Sequence, residues 1–82
     1  MNSSNMEFDL LKGTYRHYKG NLYEVIGVGR HSETMEPLVV YTAKYASATY
    51  AEGTLWIRPL SMFTEIVVVN DVEVPRFEYV GE

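Results

Sequence analysis

The chain has 82 residues, a formal net charge of −4 and no cysteine. Its length allows one small domain, residues 1–82 with a core over about residues 10–80, and the lack of cysteine excludes disulfides, thiolate metal sites and a thiol nucleophile, which suits a cytoplasmic protein. The longest apolar runs have four residues, at 38–41 and 66–69, so neither a signal peptide nor a membrane span is expected.

The first half of the chain is predicted to form three strands. Dense Tyr, Val, Thr and Ile with closely spaced turn residues are typical of β structure. Residues 14–18 and 22–28 are predicted to form a hairpin around Gly20, and Gly27 and Gly29 are expected to break the end of the second strand. The polar residues 30–37 are expected to form a surface loop, and residues 38–45 a third strand with one apolar and aromatic face.

The second half adds shorter elements. Residues 54–58 are predicted to form a strand that Pro59 stops, because proline has no N–H for the ladder. Residues 60–63 are predicted to form one helical turn, and strands over residues 65–69 and 72–77 flank the turn pair Asn70-Asp71. Near the start of the chain, residues 8–11 are predicted to form a further helical turn.

Five or six short strands in one small domain favour a closed or nearly closed barrel, because closure protects the strand edges. The predicted fold class is therefore all-β, a small SH3-like barrel with one short helical turn.

Basic residues recur beside aromatic residues or proline. There are four of them: Arg16, Lys19, Arg58 and Arg76. Arginine stacks on aromatic rings and forms a fork for carboxylate or phosphate, so these neighbourhoods favour an anionic ligand, above all nucleic acid or a nucleotide. For each arginine the alternative is a structural ion pair with a nearby glutamate.

The two histidines raise an enzymatic alternative. In an extended chain His31 and Glu33 point the same way, and with His17 they make a set that binds zinc or non-haem iron, or that serves a hydrolase whose nucleophile is Ser32. No metal-ligand spacing or nucleophile elbow supports this set, so no metal and no cofactor is expected. The structural alternative is a polar turn in which Ser32 or Thr34 bonds nearby backbone N–H groups.

Aromatic residues exceed what a small barrel interior holds. Seven Tyr and the single Trp56 are present, so some rings are expected on the surface. Such rings suit a stacking platform for bases, a groove for a protein partner or a homodimer face.

Five segments, taken together and in this order, resemble a small bacterial family of unknown function: GTYRHYKGNLYEV (13–25), HSET (31–34), VVYTAKY (39–45), LWIRPLSMF (55–63) and VPRF (74–77). The resemblance covers nearly the whole chain and implies a single domain of the SH3-like barrel type. It implies no activity, substrate or catalytic residue.

The leading hypothesis is a cytoplasmic, non-enzymatic binding module. Its ligand-binding residues are predicted to be Arg16, His17, His31, Ser32, Glu33, Trp56, Arg58 and Arg76. The alternatives are a protein-interaction or assembly subunit and the small hydrolase described above.

Overall fold

The computed structural model describes residues 10–81, and within them the chain is mostly β-strand with one short helix. The elements in chain order are β1 (Gly13–His17), β2 (Leu22–Arg30), β3 (Pro37–Ala43), β4 (Leu55–Pro59), α1 (Leu60–Phe63), β5 (Ile66–Val69), β6 (Val72–Pro75) and β7 (Phe77–Gly81). The all-β class, its barrel-like form and its single helical turn are confirmed; the SH3-like type stays a prediction. No helix in residues 10–81 is long and apolar enough to span a membrane.

Five strands form an antiparallel sheet in the order β4-β3-β2-β1-β7, and β5 and β6 form a separate two-stranded hairpin. β1 pairs with β2 on one side and with β7 on the other. The last strand thereby returns beside the first, and this places residues from both ends of the described chain next to each other.

The core lies on one face of the sheet, because alternate side chains of a strand point to the same side. Its buried residues are Tyr15, Val25, Val39, Tyr41, Phe63 and Phe77. Phe63 is the only one of them in α1, and its ring stacks on Phe77 with centroids 4.1 Å apart and planes 5° from parallel. The short helix therefore covers one side of the core, although a single turn has little stability of its own.

β2 is longer than predicted. Gly27 and Gly29 do not end the strand; they pair with Val40 and Leu38, and the pairing continues to Arg30. The register shifts between Val25 and Gly27, so a β-bulge absorbs the irregularity that the glycines were expected to introduce as a break.

The chain also forms a seventh strand, where the prediction ran residues 72–77 together. Arg76 divides them: its N–H donates to the Glu65 carbonyl at 2.9 Å, and its carbonyl accepts from the Tyr18 N–H at 2.9 Å. Through these two bonds Arg76 joins the residue before β5 to the residue after β1. The hairpin turn itself is confirmed, with Asn70 and Asp71 at φ of 52° and 65°, as a two-residue turn requires.

The helical turn predicted over residues 8–11 lies partly outside the described residues. Leu10 and Leu11 belong to no helix or strand.

We predict that Phe63→Ala lowers the free energy of unfolding by about 3–5 kcal/mol, because a fully buried ring is removed and its stack on Phe77 is lost. Urea denaturation followed by tyrosine and tryptophan fluorescence measures this. The neighbouring Met62, which is 47% exposed, is the matched control, and Met62→Ala is expected to change stability by no more than about 0.5 kcal/mol. Equal losses in the two variants would contradict this account of the core.

Candidate anion-binding site

The site is built around His17, the last residue of β1. Its register partner across the β1–β7 pair is Phe77, and the His17 ring meets the Phe77 ring edge to face at 4.9 Å. On its other side it packs against Tyr18, with centroids 4.5 Å apart. Strand pairing and ring packing together hold the imidazole in one orientation.

The protonation state of His17 follows from its hydrogen bond. Its Nδ1 accepts the backbone N–H of Lys19 at 3.1 Å, so the neutral ring carries its proton on Nε2. No side chain among residues 10–81 bonds that Nε2, and no buried side-chain nitrogen or oxygen in this part of the chain lacks a partner. Nε2–H therefore faces solvent as an available donor.

The pKa of His17 is lowered from its usual value near 6.5, first by burial and then by the positive charges of Arg76, Lys19 and Arg58. Its neutral form is favoured by the fold, so its contribution to stability is fully present above pH 6.5 and is lost as the pH falls below that value. The three cations are called the cationic cluster below.

Only part of this positive charge is compensated within the described chain. Arg76 donates from Nε and Nη2 to one oxygen of Glu65, at 3.2 Å and 2.9 Å. Arg58 donates from Nε to the Tyr41 hydroxyl at 3.3 Å and lies 5.7 Å from the centre of the Phe77 ring. Within residues 10–81 neither Arg58 nor Lys19 forms an ion pair with a carboxylate, so two positive charges remain for an anion.

Arg16 lies on the other face of the sheet, because it neighbours His17 along an extended strand. Its Nη1 is 3.8 Å from a carboxylate oxygen of Glu78, its register partner on β7. The structure therefore does not bring Arg16 to the same face as Arg58. Arg16 lines a cleft of about 350 Å³ between the sheet and the β5–β6 hairpin, and His17 and Tyr18 line the same cleft. The residues around this cleft are Arg16, His17, Tyr18, Val69, Val74, Pro75 and Glu78.

His31, Ser32 and Glu33 lie in an exposed loop after β2. His31 Nδ1 accepts the N–H groups of Glu33 and Thr34 at 3.1 Å and 3.3 Å, so the histidine itself stabilises the turn, together with Thr34 Oγ1, which accepts the N–H of residue 36 at 3.2 Å. The predicted polar turn is thus present, with His31 as the main acceptor.

The loop and His17 lie at opposite ends of β2. A nine-residue strand separates them, a distance of about 25 Å along an extended chain. His17 does not meet the other residues of the hydrolase hypothesis, and no group of three His, Cys, Asp or Glu placed to hold a metal ion occurs in residues 10–81.

Trp56 sits on the core side of β4 and packs against the core from its edge. Its ring meets Tyr50 edge to face at 4.9 Å.

Tyr23 and Tyr45 are joined by a hydrogen bond of 2.7 Å between their hydroxyls. Burial, and then this hydrogen bond, raises the pKa of Tyr23 far above its usual value. Many of the surplus aromatic rings are thus used in packing.

Sequence reasoning left two residues out of the site. Lys19 was noted for its aromatic neighbour, and the turn places its charge beside His17. Phe77 joins His17 to Arg58; its place opposite His17 depends on β7 pairing with β1, which no local signal indicates.

Comparisons with known proteins agree on a family. The profile of a family described as a protein of unknown function (DUF1653) matches residues 13–79. The crystal structure of a member of that family from Bordetella bronchiseptica is similar, with a TM-score of 0.79 and 42% identity over 89% of this chain and 90% of the other. No protein with a curated functional description matches the chain.

We predict that Arg58→Ala raises the pKa of His17, because one of the three cations that oppose its protonation is removed. The pKa stays below 6.5, since burial, the larger cause, remains. A pH titration of the imidazole signals by NMR measures it. Arg30→Ala, which removes the same charge from the far end of β2, is the control and leaves the pKa of His17 unchanged; equal values in the wild type and Arg58→Ala would place Arg58 outside the site.

Proposed function

Because the chain belongs to the DUF1653 family, whose function is unknown, we propose a function from the geometry: a non-enzymatic binding domain that holds the phosphate of a nucleotide or nucleic acid at the cationic cluster. His17 supplies a neutral N–H donor, and Arg58 and Lys19 supply positive charge. The cysteine-free composition supports the cytoplasm as the compartment where this ligand is met.

The observation that carries the proposal is the uncompensated charge of Arg58. Its side chain is half-buried on the core face, where its described polar partner is a neutral hydroxyl. Partial burial of a guanidinium without a carboxylate costs free energy, and an arriving anion repays that loss through charge-assisted hydrogen bonds. Arg76, by contrast, already has Glu65.

The aromatic surroundings support a ligand that carries a base as well as a phosphate. Tyr18 is 38% exposed, and Lys19 Nζ and Arg76 Cζ lie 5.9 Å and 6.0 Å from the centre of its ring. Rings beside cations are the surfaces on which single-stranded nucleic acids bind, because every base has a face that stacks.

We predict that a short single-stranded oligonucleotide binds the wild type and that Arg58→Ala weakens binding about tenfold, because one charge-assisted contact is lost. With two available charges, log K falls with log salt with a slope of about −1.4. Titrations with eight-nucleotide DNA and RNA at two salt concentrations, followed by amide and arginine side-chain NMR signals, measure both effects.

The matched control is Arg30→Ala, which has the same change in net charge and should bind as the wild type does. Shifts centred on residues 17–19, 58 and 77 support the proposal. If Arg58→Ala and Arg30→Ala weaken binding equally, binding reflects net charge alone, and the proposal is overturned.

A second candidate function is protein–protein interaction through the outer face of the sheet, either with a second copy of the chain or with another protein. Leu55 and Ile57 of the edge strand β4 are 57% and 60% exposed, and Ile57 pairs with Val40 on the same face. Exposed apolar side chains on an edge strand are a common docking surface.

We predict that, if this face joins two copies, Ile57→Lys converts a dimer to a monomer, because it places a charge in the contact. Sedimentation velocity over a range of concentrations measures this. Met62→Lys is the control on another exposed apolar residue, and a wild type that stays monomeric at the highest concentration excludes the homodimer.

A further inference from the structure

The cleft between the sheet and the β5–β6 hairpin lies directly beside the cationic cluster. His17 lines the cleft, and the charges of all three cations act on its ring. Tyr18 also belongs to both, with its ring in the lining and two of the cations near its face. A ligand bound to the cluster therefore has an adjoining cavity within reach.

We propose that this cleft takes the base of a single nucleotide whose phosphate is held by the cationic cluster. The inference rests on the proposed function and narrows it from nucleic acid in general to one nucleotide unit, either free or exposed in a single strand.

The hairpin supplies an apolar wall. Val69 and Val74 are half-buried and line the cleft together with Pro75, whereas Ile66 and Val68, on the opposite face of β5, are 55% and 68% exposed. A flat ring placed between the valines and Tyr18 removes apolar surface on both sides from water.

The charges of the opposite wall orient the ligand. Glu78 lines the cleft and would repel a phosphate placed there, and its partner Arg16 already compensates it in part at 3.8 Å. The phosphate is thus directed out of the cleft toward His17 and Lys19, and the uncharged base into it.

The size of the cleft selects the ligand class. About 350 Å³ lies at the small end of the range of about 300–1,000 Å³ for small-ligand sites. One base fits such a space, but a duplex does not present one, because its bases are stacked inside the helix and a base must leave the stack to enter a protein cavity.

The test compares adenosine 5′-monophosphate with ribose 5-phosphate, which has the same phosphate and sugar without the base. We expect the nucleotide to bind the wild type about tenfold more tightly, the effect of stacking one base. Isothermal titration calorimetry gives the two affinities.

The cleft variant is Val69→Gln/Val74→Gln, and its matched control is Ile66→Gln/Val68→Gln, which changes two residues on the other face of β5. The cleft variant is expected to lose the tenfold preference and to bind ribose 5-phosphate unchanged, whereas the control keeps the preference. Should the cleft variant not fold, methyl NMR signals of Val69 and Val74 in the wild type decide: they shift with adenosine 5′-monophosphate and not with ribose 5-phosphate.

The outcomes separate this inference from the proposed function. Equal affinity for the two phosphates overturns the base site and leaves phosphate binding standing. No binding of either phosphate, or of the oligonucleotides, overturns both. A further experiment compares a single-stranded tetranucleotide, the matching duplex and the mononucleotide. Tighter binding of the tetranucleotide than of the mononucleotide assigns the site to an exposed base in a strand, and the reverse assigns it to a free nucleotide. Preference for the duplex overturns the inference.

Discussion

The ring of Phe77 connects the core to the candidate site. It is buried at the start of β7, stacks on Phe63 of α1, and meets the edges of His17 and Tyr41 at 4.9 Å and 5.7 Å. Arg58 lies over it at 5.7 Å. One side chain thus contacts α1, the strands β1, β2 and β3, and the guanidinium that the proposed function depends on. Any shift of β7 along β1 moves this ring, and with it the surfaces against which His17 and Arg58 are positioned.

The same arrangement affects the stability of the fold. A half-buried guanidinium whose described partners are a neutral hydroxyl and an aromatic ring lowers the stability of the fold, because its partial desolvation is not offset by a carboxylate. The core of so small a domain has a limited surplus with which to offset that loss. The stability that offsets this loss comes from the packing of Phe63, Val25 and Val39, each of which is almost completely buried. Arg76, by contrast, is paired with Glu65.

The sequence allowed much of the fold to be predicted, and less of the site. Strand periodicity and turn residues are local signals, so the β1–β2 hairpin, the Asn70-Asp71 turn and the helical turn were all predicted. The contact between Arg58 and Phe77 could not be predicted from local signals of this kind. It depends on β7 returning to pair with β1 in the register that places Phe77 opposite His17, and no spacing along the chain encodes that pairing. That Arg16 and His17 lie on opposite faces follows from strand alternation alone. The separation of His31 from His17 could be predicted only with the full length of β2, which continues through two glycines because a bulge precedes them.

The distribution of charge bears on the length of nucleic acid that the proposed site would accept. The net charge of −4 opposes generic attraction to an extended polyanion, and at physiological salt the attraction of an exposed charge is largely screened beyond about 8 Å. Glu65 and Glu78 each lie against an arginine that would otherwise enlarge the positive surface. In the proposed binding mode, a phosphate is therefore held by Lys19 and Arg58, which have no carboxylate partner within residues 10–81. Such a site would gain affinity from a base beside the phosphate, and the proposed place for that base is the cleft lined by Tyr18 and the hairpin valines.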